Sequence, residues 1–193
     1  PHCGYGGRFY HWIFSNDPQP YYSFGNGAAM RVSAVGFAAR NMNEVKALSR
    51  AVTAISHDHP EGLKGAESVA MAIFLARQSK TKQQIRGYIE QNYYKIGFTL
   101  DEIRGTYEFN ETCQNTVPQA FEAFFEAKDF EDAIRNAVSV GGDSDTLAAI
   151  TGSIAEAYFG VPFNLRKKAE SYIDNDTFRP IHTWLKRFEK MFP

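Results

Sequence analysis

The chain has 193 residues, of which 44% are hydrophobic and 22% charged, which suffices for one domain with a full core and argues against disorder. With 21 Lys and Arg against 22 Asp and Glu, the net charge is −1, so no global field favours nucleic acid or an acidic membrane surface. No apolar run approaches the roughly 20 residues that span a bilayer. Two cysteines, Cys3 and Cys113, and no visible targeting signal predict a reduced, cytoplasmic protein.

The pattern changes from irregular to helical near Ala28. Residues 1–27 mix glycines, aromatic residues and turn formers, so we predict irregular structure there. Apolar residues then recur at helical spacing in the stretches 30–38, 45–55, 66–74, 85–89, 117–125, 130–138, 147–158 and 181–192. Thr81 opens a capping box and Asp129 is a candidate N-cap. Two-residue alternation is nearly absent, so we predict a single all-α domain over residues 1–193, with roughly eight to ten helices.

The first candidate site is the acidic segment, residues 141–146, which has the sequence Gly-Gly-Asp-Ser-Asp-Thr. The two glycines allow a sharp turn, and Asp143 and Asp145 then fall at the start of a helix, whose positive end keeps carboxylates ionised. A divalent cation would relieve their repulsion, and Mg²⁺ prefers such hard oxygen ligands, with the Thr146 hydroxyl beside them. The alternative is an ordinary helix cap, although a cap needs only one such residue.

Two further segments carry weaker signals. A Gly-Asn-Gly turn, which we call the glycine turn (residues 25–27), runs directly into a helix, where free N–H groups can bind a phosphate; the alternative is a plain tight turn. The segment from Ser56 to Gly62 contains His57 and His59 around an acidic residue. Its spacing matches no common zinc pattern, so a loop at a helix end is the favoured interpretation, in which His57 could still bond a ligand hydroxyl.

These segments, taken together and in this order, resemble the ADP-ribosylglycohydrolase family. The matching runs are residues 22–31, residues 56–57 with the glycines at 62 and 65, and the acidic segment with Gly152 and Ala155 after it. The run Tyr158-Phe159-Gly160 is also similar to the family. The resemblance covers about residues 5–160, and the combination is more specific than any one motif.

The resemblance implies an all-α fold with two Mg²⁺ ions between helices. It also implies hydrolysis of the bond between C1 of ribose and an acceptor, on ADP-ribose derivatives or ADP-ribosylated proteins and small molecules. Asp143, Asp145 and Thr146 match the second metal-ligand motif of the family. The substrate-binding positions that the resemblance implies are Ser23, Gly25, Asn26, Gly27, Met30, Arg31 and His57.

One family feature is not found in the sequence. Family members carry a first metal motif of Thr-Asp-Asp-Thr type nearer the N-terminus, and Asn175-Asp176-Thr177 is a poor match to it. We therefore expect the chain to correspond to the C-terminal two-thirds of a family member, without half of the metal carboxylates and without the catalytic base. Two alternatives stay open: a catalytically inactive or crystallin-like relative, and an unrelated helical interaction domain without a metal site.

Overall fold

The computed structural model describes residues 5–191, with side chains except at positions 175, 184–185 and 188–191. This part of the chain contains twelve helices, no strand, and one isolated antiparallel bridge between Gly25 and Thr112. The all-α prediction is confirmed, but the described residues contain more helices than the predicted eight to ten, because short helices such as α2 and α7 have too few residues to show a helical repeat. The helices are α1 (Gly7–Ile13), α2 (Gly27–Met30), α3 (Ser33–Ala38), α4 (Met42–Thr53), α5 (Pro60–Arg77), α6 (Lys82–Asn92), α7 (Leu100–Ile103), α8 (Cys113–Glu126), α9 (Phe130–Val140), α10 (Ser144–Phe159), α11 (Phe163–Glu170) and α12 (Asn175–Met191). None of them is long and apolar enough to cross a membrane.

The chain divides into two compact units, with the boundary between Phe159 and Gly160. The first unit contains α1 to α10 and all of the candidate site. The second contains α11 and α12, and Asp174 accepts a hydrogen bond from the Thr177 N–H (2.8 Å) in the first turn of α12. The predicted helical stretch 181–192 lies in α12 up to Met191, while Phe192 lies outside the described residues. The single-domain organisation stays a prediction.

The core of the first unit forms around α5, which packs against α2, α3, α4, α8 and α10. Residues 68–76 of α5 are all buried, because an element with neighbours on several sides must be apolar on several sides. The small residues of α10 permit close packing against α9: a Cβ on Gly152 would lie 2.8 Å from Ile134 Cδ1. Phe121 and Phe124 of α8 fill the space between these helices and are fully buried.

Several local sequence signals appear in the structure as expected. Thr81 and Gln84 form the reciprocal capping box at the start of α6. The Asp129 carboxylate accepts the N–H of Asp132 (2.9 Å) and caps α9. These contacts depend only on residues within one helical turn, which is why the sequence predicts them well.

Three expectations need correction. The segment 1–27, predicted to be irregular, contains α1. The helix predicted across residues 30–38 is broken into α2 and α3 at Arg31 and Val32, which leaves the Met30 side chain 44% exposed. On α4 only Val45 of the predicted apolar stripe is buried, and the last turn leaves Val52 45% exposed. For α4, the spacing of apolar residues predicted the helix correctly. Whether the apolar face of a helix is buried depends on which other helices pack against it.

Candidate functional site

The glycine turn is held in place by the segment that leads into α8. The Asn26 N–H donates to the Glu111 carbonyl (2.7 Å), and the Cys113 N–H donates to the Phe24 carbonyl (3.0 Å). The buried Cys113 thiol also donates to the Gly25 carbonyl (3.2 Å). These bonds, around the Gly25–Thr112 bridge, fix the turn as it enters α2.

The side chain of Asn26 joins the glycine turn to the acidic segment. It is only 6% exposed, and its Nδ2 donates to Asp143 Oδ2 at 2.6 Å. The same nitrogen lies 3.1 Å from Thr116 Oγ1 and 3.2 Å from the Asn110 carbonyl. An amide nitrogen has two hydrogens. Asn26 therefore donates one of them to Asp143 in the acidic segment and the other to the Asn110 carbonyl or the Thr116 hydroxyl. The two motifs, separated by 117 residues, therefore form one site.

The acidic segment takes its shape from two glycines with positive φ. Gly141 has φ +82° and Gly142 φ +61°, a region that other residues rarely occupy. A Cβ on Gly142 would also lie 2.6 Å from Tyr107 Cε1. The turn leads directly into α10, where the Asp143 carbonyl accepts the Leu147 N–H (3.0 Å). The predicted helix start at this segment is confirmed by these contacts.

The two carboxylates of the segment interact with each other. Partial burial and the neighbouring Asp145 raise the pKa of Asp143, whereas the hydrogen bond from Asp143 lowers the pKa of Asp145. Thr146 is buried beside them, and its hydroxyl donates to Met30 Sδ at 3.6 Å. Asp143, Asp145, Thr146 and Met30 are thus brought together by α2 and the start of α10.

Asp143, Asp145 and Thr146 offer the hard oxygen donors that suit Mg²⁺. They supply only part of a coordination shell, because the described residues contain no group of three His, Cys, Asp or Glu side chains arranged to hold a metal ion. The donor chemistry therefore fits Mg²⁺, but additional ligands are needed to complete the shell.

His57 lies beside the glycine turn and is 5% exposed. Its Nδ1 is 2.9 Å from Arg31 Nη2 and 2.8 Å from Ser56 Oγ. A guanidinium has no acceptor, so Nδ1 must accept and Nε2 must carry the proton of the neutral ring. Burial and the Arg31 charge lower the pKa of His57 to about 4, which keeps the ring neutral near pH 7.

The protonated Nε2 of His57 faces the glycine turn. A Cβ added to Gly25 or Gly27 would lie 3.5 or 3.6 Å from this nitrogen. The Gly27 N–H has no hydrogen-bond partner among the described residues, whereas the Gly25 N–H donates to Ser23 Oγ (3.2 Å). Of the predicted substrate-binding donors, the Gly27 N–H and the His57 Nε2–H are therefore available at the turn. The Gly25 and Asn26 backbone amides hold the turn together, and Arg31 bonds through Nη2 to Ser56 and His57 Nδ1, on the side of the ring away from the turn.

His59 takes the structural role expected of a loop at a helix end. Its Nδ1 accepts the Glu61 N–H (3.0 Å) at the start of α5. Its ring contacts two exposed aromatic rings, with centroids 4.6 Å from Tyr22 and 5.0 Å from Phe24. Asp58 meanwhile accepts the Tyr22 N–H (2.7 Å), which supports the positive φ of 55° at Tyr22.

Comparison with known proteins decides the family. The sequence model of the ADP-ribosylglycohydrolase family matches residues 4–187. The chain belongs to the ADP-ribosylglycohydrolase family. This membership argues against the alternative of an unrelated helical domain, and the matched range extends beyond the expected limit near residue 160.

The individual relatives of the chain are distant in sequence. Human ADP-ribosylhydrolase ARH3 is 27% identical, over 80% of this chain and 56% of its own length. An uncharacterized protein from Archaeoglobus fulgidus is 28% identical, over 70% of this chain and 50% of its own. A solved structure named ADP-ribosylglycohydrolase-related protein complex superposes with a TM-score of 0.64 and 25% identity, over 81% of this chain and 59% of that one. The chain thus spans about half the length of the curated relatives it matches.

Sequence analysis missed the residues of the candidate site that lie between the two motifs in the chain. Thr116 is buried and donates to the Asn110 carbonyl (3.1 Å) while contacting Asn26. Tyr107 packs against the turn at Gly142, and its hydroxyl donates to the Asn115 carbonyl (2.8 Å). No local signal marks these residues, because their partners are distant in the chain.

Proposed function

We propose that the chain forms part of an ADP-ribosyl hydrolase, which cleaves the bond between C1 of an ADP-ribose and its acceptor. The observation that carries the proposal is the 2.6 Å hydrogen bond from Asn26 to Asp143. It places the glycine turn, with the free Gly27 N–H, next to a pair of carboxylates. The turn would bind the diphosphate of ADP-ribose, and the adjacent pair of carboxylates would bind its ribose through a metal ion. The names of the relatives, ADP-ribosylhydrolases, support the same activity.

The residues on the turn side would bind and orient the substrate. The Gly27 N–H and the His57 Nε2–H both lie at the turn and would donate to oxygens of the diphosphate or the adjoining ribose. Because His57 is neutral, it supplies a hydrogen bond without a charge. Ser23, Gly25 and Asn26 would act mainly by holding the turn in shape. Tyr22 and Phe24 could contact the adenine, although packing is the commoner role of such rings.

The acidic residues would hold Mg²⁺. Asp143, Asp145 and Thr146 would be its protein ligands, with the remaining ligands supplied by water, by the substrate or by residues outside the described range. A bound Mg²⁺ orients sugar hydroxyls and lowers the pKa of an attacking water. Glycosidic cleavage passes through an oxocarbenium-like state. Asn26 would contribute by fixing the orientation of the Asp143 carboxylate through its 2.6 Å hydrogen bond.

The test measures release of ADP-ribose from a serine- or arginine-modified peptide in Mg²⁺, with the 193-residue chain and with the protein expressed from its native gene. We expect Asp143→Asn and Asp145→Asn to lower turnover by on the order of 10²-fold, since each removes a metal ligand. Asp129→Asn is the matched control, because Asp129 caps α9 and makes no contact with the site. Wild-type turnover in both site variants would refute the metal assignment.

A second candidate function is non-catalytic binding of ADP-ribose. It is favoured by the incomplete ligand set of the acidic segment in the described residues. Release from the modified peptide separates the two candidates, and calorimetry measures whether ADP-ribose binds. A non-catalytic relative binds ADP-ribose but releases none from any peptide. We also expect the 193-residue chain alone to bind Mg²⁺ weakly, since two carboxylates rarely hold it tightly; micromolar binding would show that the ligand set is larger than the acidic segment.

A further inference from the structure

A cavity of about 220 Å³ lies between α1, α2 and the end of α4. One wall is aromatic: the rings of Phe9 and Trp12 stack 5.7 Å apart and nearly parallel. Val52 and Ile55 form its aliphatic rim and are 45% and 50% exposed. A dry cavity of roughly 150 Å³ is known to accept benzene. The cavity therefore has room for one aromatic ring with a small substituent.

Among the described residues that line this cavity, Arg31 alone carries a positive charge. Its Nη2 donates to Ser56 Oγ (2.8 Å) and His57 Nδ1 (2.9 Å). Its Nη1 and Nε have no hydrogen-bond partner among the described residues, and no described carboxylate forms an ion pair with it. Its guanidinium carbon lies 5.2 Å from the centre of the Phe9 ring. A cation with unused donors thus stands at the edge of an apolar cavity.

We propose that this cavity binds a small carboxylate with an aromatic or branched apolar body. The carboxylate would accept from the unused N–H groups of Arg31, which match its planar geometry. The apolar body would cover Val52 and Ile55, whose exposure leaves apolar surface for a ligand to bury. An inorganic anion would leave this surface in water, and a neutral apolar molecule would leave the Arg31 donors unused.

The cavity is separate from the face that we assign to ADP-ribose. Arg31 and Ser56 contact Nδ1 of His57, whereas the glycine turn faces Nε2 of the same ring. His57 does not line the cavity, so the carboxylate would contact Arg31 on the Nδ1 side of the ring, whereas ADP-ribose would contact Nε2. The proposal assigns Arg31, which the family resemblance places among the substrate-binding positions, to this cavity instead, and it uses no residue of the acidic segment or of the glycine turn.

The test titrates the 193-residue chain with benzoate and follows binding by protein-observed NMR. We expect saturable binding with a dissociation constant of about 1–10 mM, the range usual for so small a ligand. Benzamide, which keeps the ring without the charge, and acetate, which keeps the charge without the ring, should each bind at least about tenfold more weakly. Equal binding of benzamide, or no saturation by benzoate, would overturn the proposal.

Two exposed positions on α4 provide a matched pair of variants. Val52→Glu places a carboxylate on the rim, where it would compete for Arg31 and repel the ligand, so affinity should fall at least about tenfold. Leu48→Glu makes the same change one turn earlier, at a side chain that is 40% exposed and does not line the cavity, and should change affinity less than about twofold. Arg31→Gln should weaken benzoate but not benzamide. An equal loss in both glutamate variants would refute the assigned location.

Discussion

Replacing Asn26 by aspartate tests the connection between the glycine turn and the acidic segment. The substitution keeps the shape of the side chain but turns the donor into a carboxylate, at 2.6 Å from Asp143 Oδ2. Two unit charges about 4 Å apart repel by about 4 kcal/mol at an effective dielectric constant near 20. Because Asp143 is only partly buried, water screens part of this repulsion, and the repulsion that remains is about 2–3 kcal/mol.

The lost hydrogen bond adds about 1 kcal/mol. Asn26→Asp should therefore lower the free energy of unfolding at pH 7 by about 3–4 kcal/mol, a large part of the stability of an ordinary domain. The repulsion raises the folded-state pKa of the new carboxyl pair above its unfolded value near 4. The destabilisation is thus complete above the folded pKa and disappears as pH falls through it, when one carboxyl takes up a proton.

The assay is urea unfolding followed by circular dichroism at pH 7 and at pH 4. Asn92→Asp is the matched control: the exposed Asn92 amide donates one hydrogen bond, to the Tyr88 carbonyl (2.8 Å), and has no place in the site. It should cost less than about 1 kcal/mol at both pH values. If Asn26→Asp costs no more than this control, or costs the same at pH 4 as at pH 7, the assigned contact with Asp143 is wrong. If Asn26→Asp does not fold, Asn26→Leu removes the donors without the charge and should cost about 1–3 kcal/mol.

Three further predictions concern the turn at Gly142, the His57 ring and the Lys82 side chain. Gly142→Ala should lower stability in urea by about 1–3 kcal/mol, because it combines a positive φ with a clash against Tyr107, whereas Gly87→Ala, in open space within α6, should raise it by about 0.5–1 kcal/mol; equal effects would contradict the account of the turn. The pKa of His57, lowered to about 4, means that stability is lost as pH falls from about 6.5 toward about 4, since only the unfolded ring is protonated there. NMR titration should find the His57 ring neutral at pH 6, and His57→Gln should flatten this part of the stability profile. Lys82→Met, which removes a donor to two carbonyls at the end of α8, should cost about 1–2 kcal/mol in urea, and an unchanged midpoint would show that this contact contributes nothing.

Local sequence features predicted the helices well and the loops less well. The spacing of apolar residues within α8 and α9 and the caps at Thr81 and Asp129 depend on neighbours within one turn. The short helix α1 was missed because glycines and aromatic residues there suggested a turn-rich segment. The exposed rim at Val52 was also unpredictable, because periodicity places residues on one face but does not say what covers it.

The sequence by itself determined the all-α class, the acidic segment at a helix start and the glycine turn, since each is a property of a few consecutive residues. Only the tertiary structure decided that Asn26 and Asp143 meet. It also decided that Thr116 supports their contact and that Arg31 sets the tautomer of His57. Hydrogen bonds between residues 26 to 117 positions apart have no local signature, because they arise from the packing of α2, α8 and α10 around the buried helix α5.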